Sequence, residues 1–296
     1  MRARALAAAA AVVLVALGVV LGAGPLQDDA PRTDDRAQEG YDERLRDLRD
    51  ARSFSDAYAG TTASRVLAGT LTGRKVALVV LPGASFDTAD LLRGLVRAAG
   101  GEVSAEVGLT ATLLSSGSTG LVDALTSQLA AQTPGLVAPA DASTYQRFGA
   151  LLARGIAVPP ASRSVGGLYD GPALGVMSGF EAAKLVEGVK VGARAGLTLV
   201  LLPDQTDPDA YEALTAALTT YAAQIPTVVA GPAGSAGLNG LLGALRAADG
   251  RYSTVDSVES AAGRVAAILA IAARTRGDVG DFGAVGDVDD AVPPLS

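Results

Sequence analysis

Apolar runs of strand length alternate with helical patterns from residue 72 to residue 276. The segments 75–81, 197–202 and 227–230 contain few polar residues, which is typical of parallel strands buried on both faces. Further strands are predicted over 102–109 and 252–255. Helical spacing of apolar residues occurs over 88–99, 121–131, 144–154, 207–223, 238–248 and 263–274. This alternation predicts an α/β fold with an open, mostly parallel, Rossmann-like sheet and flanking helices.

Residues 5–24 carry no charged or polar side chain. As a helix, this segment would be about 30 Å long, enough to cross the hydrocarbon core of a bilayer. A cleaved signal peptide has a shorter apolar core, and Pro25 follows directly after the small residues that cleavage would require. We therefore favour a retained transmembrane anchor over a cleaved signal and over a buried soluble helix. Arg2 and Arg4 would stay cytoplasmic, and the rest of the chain would be extracytoplasmic.

A polar linker and a charged helix are predicted between the anchor and the α/β pattern. Residues 25–40 are polar, whereas residues 41–58 place Tyr41, Leu45 and Leu48 on one helical stripe. The stripe weakens further along, so it predicts only a short coiled-coil-like helix. Two interpretations stay open for it, namely dimerisation and a membrane-proximal amphipathic helix.

The predicted organisation therefore has four parts. They are the anchor at 1–24, the linker and charged helix at 25–60, the extracytoplasmic α/β domain at 61–276 and a flexible acidic tail at 277–296. The third part is long enough to bury one sizeable core. The tail is rich in Gly and Asp, a composition that is typical of segments without a packed core.

Composition excludes several kinds of chemistry. The 296 residues include no cysteine, histidine or tryptophan and only two methionines, and the net charge is −7. A Ser-His-Asp triad, a His-ligated zinc or iron site and a thiolate site are therefore impossible within this chain. The basic residues cluster only within 41–58, which argues against a nucleic-acid partner. We predict a protein that is not an enzyme and has no cofactor. Hard cations remain compatible with its many carboxylates, and the identity of any metal stays open.

Two glycine- and serine-rich loops precede predicted helices. Residues 231–237 follow a strand, and residues 115–120 precede the helix at 121. Either loop could offer backbone N–H groups to an anion. However, neither contains the residue order of a phosphate-binding motif, so a plain turn and helix cap is the favoured interpretation.

Aspartates form two further groups. Asp204, Asp207 and Asp209 follow the strand at 197–202, which is where ligands bind in parallel sheets. A helix cap explains Asp207 more simply. The second group lies in the tail and lacks the spacing of a calcium loop. Its members are Asp278, Asp281, Asp287, Asp289 and Asp290.

The segment 252–256, the pair Gly263-Arg264 and the apolar residues 268–270 resemble the carboxyl-terminal block of an actinobacterial family. This is the family of mycobacterial copper transport protein B, often called MctB-like. The anchor, the charged helix and the strand that begins at 75 also resemble the family's layout. The residues singled out by the resemblance are Ser253, Thr254, Val255, Asp256, Gly263 and Arg264. Their expected role is structural, with Asp256 capping the last helix or pairing with Arg264.

The resemblance implies a role in copper efflux or homeostasis, with a channel proposed for the family in the outer membrane. It also implies a link to cell division and cell-wall remodelling. Three hypotheses follow for this chain. The first is a membrane-anchored envelope protein that handles copper within an assembly. The second is a non-enzymatic scaffold, a homodimer or the partner of another envelope protein, that regulates cell-wall remodelling or cell separation. The third, a hydrolase or nucleotide-binding enzyme, is disfavoured because the chain has neither histidine nor a phosphate motif.

Overall fold

The computed structural model describes residues 33–158, 169–248 and 250–294, with side chains from residue 40 onward. The predicted anchor at 5–24 lies outside these residues. None of the helices within the described ranges combines the length and the hydropathy that a membrane crossing requires. The chain divides into two compact units, one ending at Arg52 and the other beginning at Ser53.

Helices and strands alternate over much of the second unit as predicted, and the first helix begins within the first unit. The helices are α1 (Thr33–Leu67), α2 (Phe86–Ala98), α3 (Ala111–Leu114), α4 (Thr119–Gln132), α5 (Thr144–Ile156), α6 (Gly171–Ala182), α7 (Tyr211–Ala222), α8 (Leu241–Ala247) and α9 (Ala261–Arg274). The strands are β1 (Lys75–Val80), β2 (Glu102–Leu109), β3 (Val186–Val191), β4 (Leu197–Leu201), β5 (Thr227–Ala230), β6 (Tyr252–Val255) and β7 (Asp281–Phe282).

Within the described residues, seven strands form one sheet in the order β3-β2-β1-β4-β5-β6-β7. Only β3 runs antiparallel to its neighbour, which confirms the prediction of a mostly parallel sheet. The five central parallel strands follow the order 2-1-3-4-5 of flavodoxin-like sheets, not the 3-2-1-4-5-6 order of dinucleotide-binding sheets. The chain therefore reverses direction across the sheet between β1 and β4, which makes this position the topological switch point.

Both faces of the central strands are buried, which explains why their sequences are mostly apolar. Along β1, Ala77 and Val79 pack into the layer of α4 to α7, whereas Val76 and Leu78 pack into the layer of α2 and α9. All five residues of β4 are buried as well. Because side chains alternate between the faces of a strand, a strand covered on both sides favours apolar residues at most positions. The buried Thr198 of β4 is satisfied by a hydrogen bond with the Tyr221 hydroxyl at 2.7 Å.

Several elements differ from the predictions. Helix α6, which is capped by Asp170 and begins with Gly171-Pro172, was not predicted. Strands β3 and β7 at the sheet edges were not predicted. The helix predicted over 207–223 begins as a 3-10 turn at Pro208–Ala210, and its α-helical part is α7.

The charged helix is also longer than the prediction of 41–58. Helix α1 has 35 residues, from Thr33 to Leu67. Its carboxyl end is buried at Ala63 and Leu67. Four large apolar side chains are exposed earlier along the helix, namely Tyr41, Leu48, Phe54 and Tyr58.

Candidate functional site

The first part of the block singled out by sequence, residues 253–255, lies on β6 and ties this strand to β7. The Ser253 hydroxyl accepts a hydrogen bond from the Gly280 N–H at 3.2 Å. The Thr254 hydroxyl donates to Asp281 Oδ1 at 2.7 Å. Val255 is fully buried in the apolar layer beneath them. These contacts dock part of the segment that the sequence predicted to be a flexible acidic tail, and its residues 281–282 pair in parallel with β6.

Asp256 is a fully buried carboxylate directly after β6. Its Oδ1 atom accepts hydrogen bonds from the Ser257 hydroxyl at 2.7 Å and the Ala284 N–H at 2.8 Å. Its Oδ2 atom accepts from the Val285 N–H at 3.1 Å and from Arg246 Nη2 at 3.2 Å. A buried charge is tolerated only when it is paired and hydrogen-bonded, and here both conditions hold.

Arg246, in the last turn of α8, occupies the centre of this arrangement. Its Nε donates to the Thr254 hydroxyl at 2.7 Å, and its Nη1 donates to the carbonyl of Val285 at 2.7 Å. Its Nη2 donates to the carbonyl of Phe282 at 3.0 Å as well as to Asp256. We call Arg246, Thr254, Asp256 and the segment 280–285 the β6–β7 clasp. Because the chain itself supplies the partners of these charged groups, the clasp holds the carboxyl-terminal segment in place and offers little to a ligand.

The remaining residues of the block shape the start of α9. Ser260, not Asp256, caps this helix by accepting the Gly263 N–H at 2.9 Å. A Cβ atom at Gly263 would lie 2.1 Å from the carbonyl oxygen of Ser257, so only glycine fits there. The expectation that Asp256 caps the last helix or pairs with Arg264 is therefore wrong. Asp256 is held by the carboxyl-terminal segment instead.

Arg264 donates to the carbonyls of Val258 and Glu259 at 3.0 and 2.9 Å. Partial burial lowers its pKa, although the charges of Asp56 and Glu259 oppose this shift. Asp56 of α1 also accepts the Ala261 N–H at 2.8 Å. These contacts are structural, and they join the amino end of α9 to α1.

The glycine-rich loop at 231–237 is closed by its own chain. The Ala233 N–H donates to Glu259 Oε2 at 3.2 Å, and the Ser235 hydroxyl donates to the Pro232 carbonyl at 2.6 Å. The Asp204 carboxylate lies so close to Gly234 that a Cβ atom there would be 2.3 Å from Oδ1. Two carboxylates beside the loop repel an anion, which agrees with the turn interpretation and not with a phosphate cradle.

The serine-rich loop and two of the three predicted aspartates meet in one groove of about 580 Å³. Ser115 and Ser116 line it together with Asp207 and Asp209. Asp207 accepts the N–H of Asp209 at 3.1 Å and so caps the 3-10 turn, as the sequence predicted for a cap. Asp204 lies elsewhere, against Gly234. Within the described ranges, no cluster of three or more carboxylates, histidines or cysteines has the arrangement of a metal site.

A second ion-pair cluster, which is partly exposed, lies at the start of α6. Asp170 Oδ2 is 2.9 Å from Arg154 Nη2 and 3.1 Å from Arg194 Nη2. Partial burial alone would raise the pKa of Asp170, but the hydrogen bonds from Arg154 and the Ala173 N–H, with the charge of Arg194, lower it below its usual value. Because Asp170 also caps α6, the cluster stabilises the amino end of this helix, which the sequence pattern did not predict.

The comparisons with known proteins identify the family. The family model described as copper transport outer membrane protein, MctB, matches residues 1–293. The match covers nearly the whole chain, and the chain belongs to this family of envelope proteins. No curated protein matches it.

Proposed function

We propose that this member of the MctB family serves copper efflux or homeostasis in the cell envelope as part of an assembly. The family match over residues 1–293 is the observation that carries the proposal. In this proposal the apolar residues 5–24 anchor the chain in a membrane, and the α/β domain lies on the extracytoplasmic side.

The chemistry of the chain supports an indirect role in copper handling. Cuprous ions bind thiolate and thioether sulfur, and copper also binds imidazole nitrogen. The sequence has no cysteine or histidine, and its second methionine, Met177, is only 1% exposed, inside helix α6. We propose that another component of the assembly supplies the copper ligands. The chain itself would be neither an enzyme nor the copper carrier.

Helix α1 is the element that best suits binding to a partner. An isolated helix gains little stability from its backbone alone, so a long helix in water normally packs an apolar face against something. Tyr41, Leu48, Phe54 and Tyr58 on α1 are each at least 60% exposed. We propose that a second copy of the chain or another envelope protein covers these side chains.

The same observation favours a second candidate function. A scaffold that regulates cell-wall remodelling or cell separation would need the anchor and an exposed binding helix, and it would need no copper ligand. The two functions differ in what removal of the protein changes: copper tolerance in the first case and cell shape or separation in the second.

Deletion of the gene in the source bacterium separates these functions. We expect lower growth in copper-containing medium and more cell-associated copper, both restored by the full chain. The Met177→Leu variant should restore them equally, because a buried methionine cannot supply an accessible ligand. Unchanged copper tolerance with chained or misshapen cells would favour the scaffold and contradict the copper role.

The indirect character of the copper role has a separate test. Equilibrium dialysis of the full chain in detergent should show no cuprous or cupric binding tighter than about millimolar, because the ligands that copper prefers are missing. Micromolar binding would contradict the indirect role while leaving the copper function itself intact.

For the partner surface, sedimentation of the full chain and of a variant with Tyr41, Leu48, Phe54 and Tyr58 changed to Ser should differ if a second copy covers α1.

A further inference from the structure

A crevice of about 420 Å³ opens at the carboxyl end of β1, on the β2 side of the switch point. Its floor is apolar and includes Val80, Leu81 and Ala89. Ligands of open parallel sheets bind beyond the carboxyl ends of the strands near such a point. A concave apolar surface with a few polar groups is also the usual form of a small-molecule site, and its volume lies within the common range.

Two glycines contribute to the walls of the crevice. Gly108 on β2 and Gly188 on β3 both line it, and the backbone of Gly188 has a φ of +60° that disfavours other residues. Phe86, the first residue of α2, forms part of the rim and is 78% exposed. An aromatic ring exposed at the rim of an apolar crevice can contact a bound molecule on its outer side.

Two carboxylates define the charge of the site. Glu106 on β2 and Glu187 on β3 both line the crevice, although they are far apart in sequence. Glu106 accepts a hydrogen bond from Arg93 Nη2 at 2.8 Å, and Arg93 also pairs with Asp90. Glu187 has no hydrogen-bond or ion-pair partner within the part of the chain that the structure describes, and it is exposed.

The basic residues near the crevice do not cancel its negative charge. Lys190 lies opposite Glu106 in the pairing of β2 and β3, and Arg93 is shared between two carboxylates. In many such sheets a phosphate binds at the amino end of a helix. Here side chains of the chain itself cap the amino end of α2 and place a negative charge there. The Ser85 hydroxyl accepts the Thr88 N–H at 3.2 Å, and Asp87 lies in the first turn. The crevice is therefore acidic where related architectures hold anions.

We propose that this crevice binds a small organic cation, an ammonium group on a short apolar body. The apolar body lies against Leu81 and Ala89, while the ammonium group lies between Glu187 and the face of Phe86. Carboxylates attract the cation directly, and an aromatic face attracts it through its quadrupole. This site is independent of the copper role, because it uses neither a copper ligand nor helix α1.

The test uses three four-carbon probes with short apolar chains and different charge: n-butylammonium, n-butanol and butanoate. The full chain in detergent is labelled with fluorophenylalanine, and its five phenylalanine signals are followed by fluorine NMR. The Phe86 signal is assigned with Phe86→Leu. The signals of Phe148 and Phe180, whose buried ring centroids are 4.7 Å apart, report that the fold is intact.

Butylammonium should shift the Phe86 signal saturably, butanol should shift it less, and butanoate should leave it unchanged. Glu187→Gln should weaken butylammonium binding about three- to fivefold, as expected for one exposed carboxylate. The matched variant Glu102→Gln changes an exposed carboxylate at the other end of β2 and should bind the probe as the unchanged chain does.

Three results would overturn the proposal. The first is an equal shift with butanoate. The second is an equal loss of affinity in the two glutamate variants while the buried phenylalanine signals stay in place. The third is a Phe86 signal that does not respond to butylammonium at any concentration up to about 100 mM, where even a weak site of this kind would begin to fill.

Discussion

Two regions at the carboxyl edge of the same sheet use charged residues in opposite ways. In the β6–β7 clasp, Asp256 and Arg246 are buried and bonded to groups of the same chain. In the crevice near β1, Glu187 is exposed beside an apolar floor and an exposed aromatic ring. Charged residues at strand ends stabilise the fold where the chain itself pairs them, and we expect a ligand beside a residue such as Glu187, which has no partner among the described residues.

The largest effect should come from breaking the clasp at its buried carboxylate. Asp256→Ala leaves Arg246 as a buried charge without its ion-pair partner, and breaking such a pair costs about 3–5 kcal/mol of unfolding free energy. Urea unfolding of the full chain measures this cost. Asp287→Ala, an exposed aspartate of the same segment, should change stability by less than about 0.5 kcal/mol. Equal losses of unfolding free energy in the two variants would contradict a stabilising role for the buried carboxylate of the clasp.

A second variant tests the space that the clasp requires. Gly283 has a φ of +136°, and a Cβ atom there would lie 2.2 Å from the Asp256 carboxylate. Gly283→Ala should therefore cost about 2–4 kcal/mol, from backbone strain together with overpacking.

Gly73→Ala is the matched control for this substitution. Gly73 also has a positive φ, +69°, but its Cβ position is open, so only backbone strain of about 1–2 kcal/mol is expected. The same urea experiment measures both variants. A cost at Gly283 no larger than that at Gly73 would contradict the close contact with Asp256.

The Asp170 cluster lies between the two extremes, since its carboxylate is paired yet 37% exposed. Asp170→Asn keeps the helix cap but loses the attraction to Arg154 and Arg194. Because solvent screens this attraction, its loss should lower the free energy of unfolding by about 1 kcal/mol at pH 7. The pKa of Asp170 is lowered in the folded chain, so the unfolded chain takes up its proton first as the pH falls. This contribution is complete above the ordinary pKa of 3.8 and is lost as the pH falls through the folded pKa.

Urea midpoints measured from pH 7 down to about pH 3 should therefore converge for the unchanged chain and Asp170→Asn, because protonation removes the same charge. The exposed Asp141→Asn variant should follow the unchanged chain at every pH. If the urea midpoints of the unchanged chain and Asp170→Asn differ by the same amount at every pH, the ion pairs of Asp170 do not stabilise the fold.

The smallest effect on stability is expected in the crevice. Glu187→Gln removes a charge that is exposed and unpaired among the described residues, so the free energy of unfolding should change by less than about 0.5 kcal/mol. Thermal or urea unfolding of the full chain measures this. A loss above about 1 kcal/mol would show that Glu187 stabilises the fold, and the contrast with Asp256 would then fail.

Much of the architecture follows from local patterns in the sequence. The apolar runs of β1 and β4 predict buried parallel strands, because both faces of these strands are covered. The sequence also predicts the cap at Asp207, although the first turn after it is 3-10 and α7 begins only at Tyr211. Helix α6 was not predicted because glycine has a low helix propensity, and Gly171 and Gly175 both lie within its first half.

Partners that are distant in sequence were decided by the tertiary structure. Asp256 could be recognised as a notable residue, but its partner Arg246 comes from the end of α8, and its N–H donors come from residues 284 and 285. Strand β7 has only two residues, too few for a pattern, and it forms because β6 presents an open edge with Ser253 and Thr254 to bond it.

The crevice shows the same division. The sequence by itself determined an α/β sheet, the absence of histidine and cysteine, and therefore a chain poorly suited to binding copper directly. Only the tertiary structure brought Glu106, Glu187 and Phe86 to one opening. Sheet pairing and helix packing join residues that no local spacing relates, and those contacts determine which charges are buried and paired and which remain open.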